Sequence, residues 1–287
     1  VARGLVGDAR RGAAAAHLQG IVMSTNEQPL LVRASIGLHV FAAGAITMQP
    51  SWWPMALATL VADHAVITAA GLWPTSTALG PNLRRLNARA TARNEIALTV
   101  DDGPDPDVTP RVLDLLDTLH VRATFFCIGT RVLAHPDLAR DIVRRGHAIE
   151  NHSHIHRHDF SLLGPRAYDR EIAAAQKAIA ATVGVAPRFF RAPAGLRNVF
   201  LQGALARQNL TLTSWTRRGF DTVRREPGRV TARLVDGLAA GDILLLHDGH
   251  AARTDRGVPV ILDVLPPLVD ALRARSLKAV TLVDASR

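Results

Sequence analysis

From residue 95 onward the chain alternates short apolar runs with helix signals, and no other feature limits its fold so strongly. The runs near 95–101, 121–127, 147–151, 187–191, 210–215, 242–247 and 278–283 have the length of strands. Helix signals fall between most of them. Thr109-Pro110 predicts an N-cap followed by proline at the first helical position, and His135-Pro136 repeats the proline device. Gly146 and Gly184 stand where C-terminal caps belong. Seven strands alternating with six helices predict a parallel α/β domain over residues 92–287, either an open sheet or an incomplete barrel.

The first run ends in Thr99-Val100-Asp101-Asp102-Gly103-Pro104. Two adjacent carboxylates therefore sit at a strand tip, just before a Gly-Pro breaker. Like charges this close raise one another's pKa, so the pair calls for a nearby cation. Glu150-Asn151-His152-Ser153-His154-Ile155-His156-Arg157-His158 offers ligands. His152 and His156 have the i, i+4 spacing that places two imidazoles on one face of a helical turn. His154 and His158 have it too, and spacing alone does not choose between the pairs. One aspartate with two histidines and open positions is a catalytic metal arrangement, because it leaves room for water.

Other strand ends carry further chemistry. Phe190-Arg191-Ala192-Pro193-Ala194-Gly195 puts an arginine where it can pair with a carboxylate of the first motif. Trp215 ends the fifth run, and Asp221 follows in the next loop. Ile243-Leu244-Leu245-Leu246-His247 closes a buried run on a histidine, with Leu245 on the same face. Asp101, His152, Arg191, Trp215 and His247 all fall at C-terminal strand ends, the edge where parallel α/β folds build their sites.

The N-terminal third reads differently. Hydrophobic residues make up 48% of the 287, and between Ala34 and Leu83 only Asp63 carries a formal charge. Two apolar stretches, about Leu30 to Met48 and Pro54 to Gly71, flank Gln49-Pro50-Ser51. Each approaches the ~20 residues that cross a bilayer, and Trp53 and Trp73 suit an interfacial belt. A transmembrane helical hairpin over residues 30–75 is expected, in the inner membrane of a bacterium, with a linker over 76–91. Asp63 and His64 near mid-span oppose that reading. Residues 1–29 read as disordered, and Met23 resembles a start that would leave the first 22 residues as non-native upstream sequence. Arginines flank the hairpin on both sides while Gln49 to Trp53 is uncharged, so both ends, and the following domain, are expected in the cytoplasm. The net charge of +9 rests on scattered arginines without aromatic interleaving, which does not suit nucleic acid. Cys127 is the only cysteine, so there is no intrachain disulfide and no Cys-based zinc site.

At these residues the chain resembles the polysaccharide deacetylase family, the NodB-homology domains of carbohydrate esterase family 4. The resemblance spans about residues 92–287 as five motifs in the family's order. It implies a distorted (β/α)7 barrel and a divalent metal, often zinc, held by Asp102, His152 and His156. It implies Asp101 as general base and His247 as general acid, with Arg191 tuning Asp101 and Asp221 tuning His247. Trp215, Leu245, Pro193 and Gly195 would line the substrate pocket. In two places the chain departs from the family pattern. The family commonly has an aromatic where Ala194 stands, and Trp directly after the aspartate, where Thr222 stands. Both bear on the sugar more than on the reaction.

The resulting expectation is metal-dependent N-deacetylation of an N-acetylated amino sugar or polysaccharide. Alternatives are a deacylase of a lipid-linked amino sugar, an O-acetyl carbohydrate esterase, or a catalytically idle carbohydrate-binding protein. The intact Asp101, Asp102, His152, His156 and His247 argue against the last.

Overall fold

The computed structural model describes residues 28–287; the expected N-terminal extension lies almost wholly outside them. Eight strands form one sheet: β1 (Glu95–Asp101), β2 (Thr124–Cys127), β3 (Ala148–Asn151), β4 (Phe189–Phe190), β5 (Thr211–Leu212), β6 (Arg217–Arg218), β7 (Ile243–His247) and β8 (Lys278–Val280). Every pairing is parallel, in the order β5-β4-β3-β2-β1-β7-β6, with β8 beside the start of β1. The result is a parallel half-barrel wrapped by helices.

β1 runs through the middle of this sheet, and nearly all of it is buried. Its residues divide by the period of two that a strand imposes. Ile96, Leu98 and Val100 face outward with Phe125, Cys127, Leu244 and Leu246, under the helices. Ala97 faces inward with Phe126, Trp215 and Leu245. Thr99 and Asp101 share that inward parity. The register opposes Asp101 to both Phe126 and His247, so two candidate catalytic groups meet at one edge.

Helix α4 (Thr109–Leu119) and helix α10 (Val260–Ala274) cover the outer face. In α4 the buried Val112, Leu113 and Leu116 follow helical spacing. Thr109 is not its N-cap. Val108 holds the cap position without a side-chain bond, and Asp105 closes the turn before it, its Oδ1 accepting from the N–H groups of Asp107 and Val108 at 3.0 and 3.1 Å. Thr109 Oγ instead donates to Asp248 at 2.5 Å.

The sheet has one strand more than the seven expected. The addition is β6, two arginines long and therefore silent in hydropathy. The fifth run also ends earlier than expected, at Leu212, so Trp215 lies in the extended passage between β5 and β6. That passage is held by Leu83, whose N–H and C=O pair with Leu212 and Ser214. Residues 76–91, expected as a linker, are thus stitched into the domain: Leu86 and Ala90 are buried, and Leu86 N–H reaches the Gly241 carbonyl. Short polar stretches look like linkers in sequence because the carbonyls that satisfy them lie far along the chain.

Helices α1 (Leu30–Met48) and α2 (Trp53–Leu72) form an antiparallel pair joined through the turn Pro50–Trp52. Their spans have a mean hydropathy of 1.6 and are largely unburied. Nineteen residues of helix reach about 28 Å, close to the hydrocarbon thickness of a bilayer. By length and composition both are candidate membrane spans. Leu30, Phe41, Met55, Val61 and Leu72 are exposed along them, and Trp52, Trp53 and Trp73 are exposed at their ends. The hairpin is tied to the domain where Arg197 N–H meets the Gly71 carbonyl at 3.1 Å.

Candidate active site

Asp101 completes β1, and Asp102 turns away from it with a left-handed backbone, φ 77°. Such a conformation is sparsely populated for any residue with a Cβ, and aspartate tolerates it better than most. It separates the two carboxylates and gives each its own surroundings. Asp101 Oδ1 accepts from Arg191 Nη1 at 2.6 Å. Asp102 Oδ1 lies 3.2 Å from Nε2 of both His152 and His156.

His152 follows β3 directly. Its Nδ1 sits 2.8 Å from the Arg191 carbonyl, so Nδ1–H donates there and Nε2 is left bare toward Asp102. A backbone carbonyl on the far nitrogen is the usual support of a metal-ligating histidine. His156 reaches the same point by a loop rather than a helical turn. Ser153 and His156 are both left-handed, with φ 64° and 51°, and Ser153 Oγ accepts from His156 N–H. The i, i+4 pair therefore converges for a reason other than the helical face expected. His154 is directed elsewhere, toward Gly129.

One donor atom from each of Asp102, His152 and His156 lies within 4.8 Å of the others. Asp102 Oδ1 is buried and has no aligned hydrogen bond. An orphaned carboxylate oxygen between two bare imidazole nitrogens fits a divalent cation. Burial alone would raise the Asp102 pKa, but the imidazoles of His152 and His250 beside it outweigh burial and hold the carboxyl far below its usual range. Burial and the neighbouring His152 push His156 down to about 4, keeping it neutral as a ligand must be.

Arg191 is fully buried, with its guanidinium divided among Asp101, Thr99 Oγ at 2.7 Å and the Ser214 carbonyl at 3.0 Å. Its head lies 4.1 Å from the centre of the Phe126 ring. These partners come from β1 (Thr99 and Asp101), β2 (Phe126) and the extension of β5 (Ser214), so the arginine locks Asp101 to the barrel interior. Opposite, Asp221 grips His247 twice. Its Oδ1 takes the ring Nδ1–H at 2.9 Å and its Oδ2 the backbone N–H at 2.7 Å. Burial lowers the imidazole's pKa, yet the charge and hydrogen bond of Asp221 win and lift it to about 8.

These groups surround a cavity of about 460 Å³ whose wall includes Trp215, Leu245, Ala194 and Gly195. Pro193 was expected on that wall; it is buried and does not line it, its neighbours Ala192, Ala194 and Gly195 taking the place. Gly195 is required: a Cβ there would come within 2.7 Å of both Trp215 and Pro74. Pro74 follows the hairpin, which thus abuts the pocket wall.

His250 and Arg218 are among the pocket residues missed in sequence. His250 lies three residues past His247, and its Nδ1 is 2.8 Å from Asp102 Oδ2. Arg218, on the unforeseen β6, lines the cavity and stacks near Trp215 and Phe220. Neither belongs to a run that sequence periodicity could rank.

A family model described as polysaccharide deacetylase matches residues 88–213. A chitooligosaccharide deacetylase of Bradyrhizobium sp. (strain ANU 289) is 35% identical over 175 residues, 61% of this chain and 80% of that protein. The chain belongs to the polysaccharide deacetylase family. A peptidoglycan-N-acetylglucosamine deacetylase of Bacillus cereus is 36% identical over 60% of this chain and 81% of its own length. Among solved structures, a family 4 carbohydrate esterase from Streptomyces lividans, in complex with acetate, superposes with a TM-score of 0.59 at 31% identity. That match covers 65% of this chain and 91% of the esterase. As a polysaccharide deacetylase the chain is a hydrolase acting on carbon–nitrogen bonds outside peptides. Deacetylases of this family use a divalent metal, and the Asp102, His152 and His156 cluster is where this chain has donors for one.

Proposed function

We propose that this polysaccharide deacetylase removes the N-acetyl group from an N-acetylglucosamine-containing glycan at a membrane surface, using a divalent metal, zinc being favoured by the donor set. The observation that carries the reading is the convergence of Asp101, Asp102, His152, His156 and His247 on one cavity. Relatives named for chitooligosaccharide and peptidoglycan N-acetylglucosamine support the substrate class.

A cation held by Asp102, His152 and His156 would polarise the amide carbonyl and make water more acidic. The chain supplies the proton transfers. Arg191 occupies Asp101 Oδ1, which leaves Oδ2 to take a proton from the attacking water. The tetrahedral oxyanion is met by backbone N–H at the turn around Ala194. His247, charged below about pH 8, gives its Nε2 proton to the departing amine while Asp221 holds Nδ1–H. The carbon–nitrogen bond breaks, and acetate and a free amine leave. Trp215 and Leu245 form the apolar wall for the acetyl methyl. The assay is acetate release and amine appearance on N-acetylglucosamine oligomers; release from O-acetylated sugars alone would overturn the amide reading.

A second reading, deacylation of a lipid-linked amino sugar, is favoured by one contact. Pro74, two residues past the end of α2, packs against Gly195 on the pocket wall, so a membrane-embedded hairpin would hold the cavity at the bilayer surface. Arg218 in the cavity suits an anionic linker next to the sugar. In this reading α1 and α2 cross the bacterial inner membrane, with Arg33 in the first turn of α1 and Arg84, Arg85, Arg89 and Arg93 after α2 on the cytoplasmic side. Alkaline phosphatase fused after Arg287 reads the orientation: an inactive fusion supports the cytoplasmic domain, and an active one places the site outside.

A further inference from the structure

Asp63 is the one carboxylate in the hairpin, and the fold surrounds it with selected partners. Ser35 Oγ, from α1, donates to Asp63 Oδ2 at 2.6 Å. His64 Nδ1 lies 3.8 Å from the same oxygen, and the His39 ring meets the His64 ring edge-on with centres 5.1 Å apart. Ser35 and His39 are one helical turn apart on α1; Asp63 and His64 are adjacent on α2. Together they are half of the charged, hydroxyl and imidazole side chains of two otherwise apolar helices.

One donor atom from each of His39, Asp63 and His64 lies within 4.8 Å of the others. Each imidazole also has a fixed tautomer. His39 Nδ1 is 2.8 Å from the Ser35 carbonyl and His64 Nδ1 is 2.9 Å from the Leu60 carbonyl. With Nδ1 donating, each ring keeps Nε2 as a bare acceptor. That is the support found behind metal-ligating histidines, and Ser35 supplies the equivalent for the carboxylate. The Asp63 side chain is mostly buried, while His64 is open to the outside. A groove of about 670 Å³ between the hairpin and the catalytic domain reaches His39, His64 and Ser35, giving an ion a way in.

An ionised carboxylate inside an apolar hairpin is costly unless a cation compensates it. The ion pair of Asp63 among the described residues is with His64. We propose that His39, Asp63 and His64 form a second divalent-metal site, separate from the catalytic one and suited to a zinc-class ion. The donor set of two imidazoles and one carboxylate matches that ion's preference and keeps a position open for water or a further ligand. The site joins α1 to α2 across 24 residues of chain, so bound metal stiffens the hairpin. It lies outside the stretch matched by the polysaccharide deacetylase model, which begins at residue 88.

The test counts metal on the full chain in detergent micelles. Protein loaded with zinc and freed of excess by gel filtration should carry a second equivalent beyond the catalytic one. His39→Ala and His64→Gln should each lose that equivalent while deacetylating at the wild-type rate. Asp102→Ala should lose the other equivalent and keep this one. Cobalt added to Asp102→Ala gives a readout that does not depend on a hairpin variant folding: a visible ligand-field band supports the site, and no band overturns it. Zinc content equal in wild type, His39→Ala and His64→Gln would also overturn it.

Discussion

Asp221 holds His247 at both ends, by the ring Nδ1 at 2.9 Å and by the backbone N–H at 2.7 Å. The double grip fixes the ring orientation and leaves Nε2 free of Asp221 on a ring that lines the cavity. It also keeps a buried imidazole charged, against the desolvation that acts to neutralise it.

A pH profile follows from that balance. An acid with a pKa near 8 must be protonated to act, so turnover on amide substrates should fall as pH rises through about 8. Asp221→Asn removes the charge that raises the pKa and leaves burial, which lowers it. The alkaline limb should therefore move to lower pH. A limb that stays in place in Asp221→Asn argues against His247 as the acid.

Asp101→Asn should keep bound metal yet lose roughly 10²-fold or more in kcat, the scale of a missing general base. His247→Ala should slow amides more than activated esters, because an ester leaving group needs no proton. Parallel measurement of both substrates separates the two roles.

Arg191→Leu is expected to lower stability by about 3–5 kcal/mol, since it strands the buried Asp101 carboxylate. Thermal unfolding with and without metal would measure this. A variant as stable as wild type would show that the barrel interior can rehydrate Asp101.

His250 should support the metal through Asp102. Its Nδ1 is 2.8 Å from Asp102 Oδ2, the oxygen not placed between His152 and His156. His250→Ala is expected to weaken metal affinity by about 10–100-fold, the usual effect of losing a ligand's hydrogen-bond partner. His154→Ala should leave affinity unchanged. Competition with a chromophoric chelator reads both.

Much of this architecture was legible because parallel strands bring their tips to one edge. Asp101, His152, Arg191 and His247 could be placed there from run lengths alone. What escaped was set by distant partners. The convergence of His152 and His156 depends on two left-handed residues, not on a helical face. Strand β6 is Arg217-Arg218, which carries no hydropathy signal and pairs only because β7 offers an open edge. Thr109 looked like a cap until Asp248, 139 positions away, claimed its hydroxyl. Pro193 was placed on the pocket wall by its motif, yet the left-handed Ala194 and Gly195 beside it form that wall.

The central claim is that a metal held by Asp102, His152 and His156 is needed to cleave an N-acetyl amide. Metal-stripped protein should be titrated with zinc while acetate release from an N-acetylglucosamine oligomer is followed. Release should be absent at the start and rise with filling of the site, and Asp102→Ala should neither fill it nor release acetate. Full release from metal-stripped protein, or none from protein with this site filled, would contradict the account.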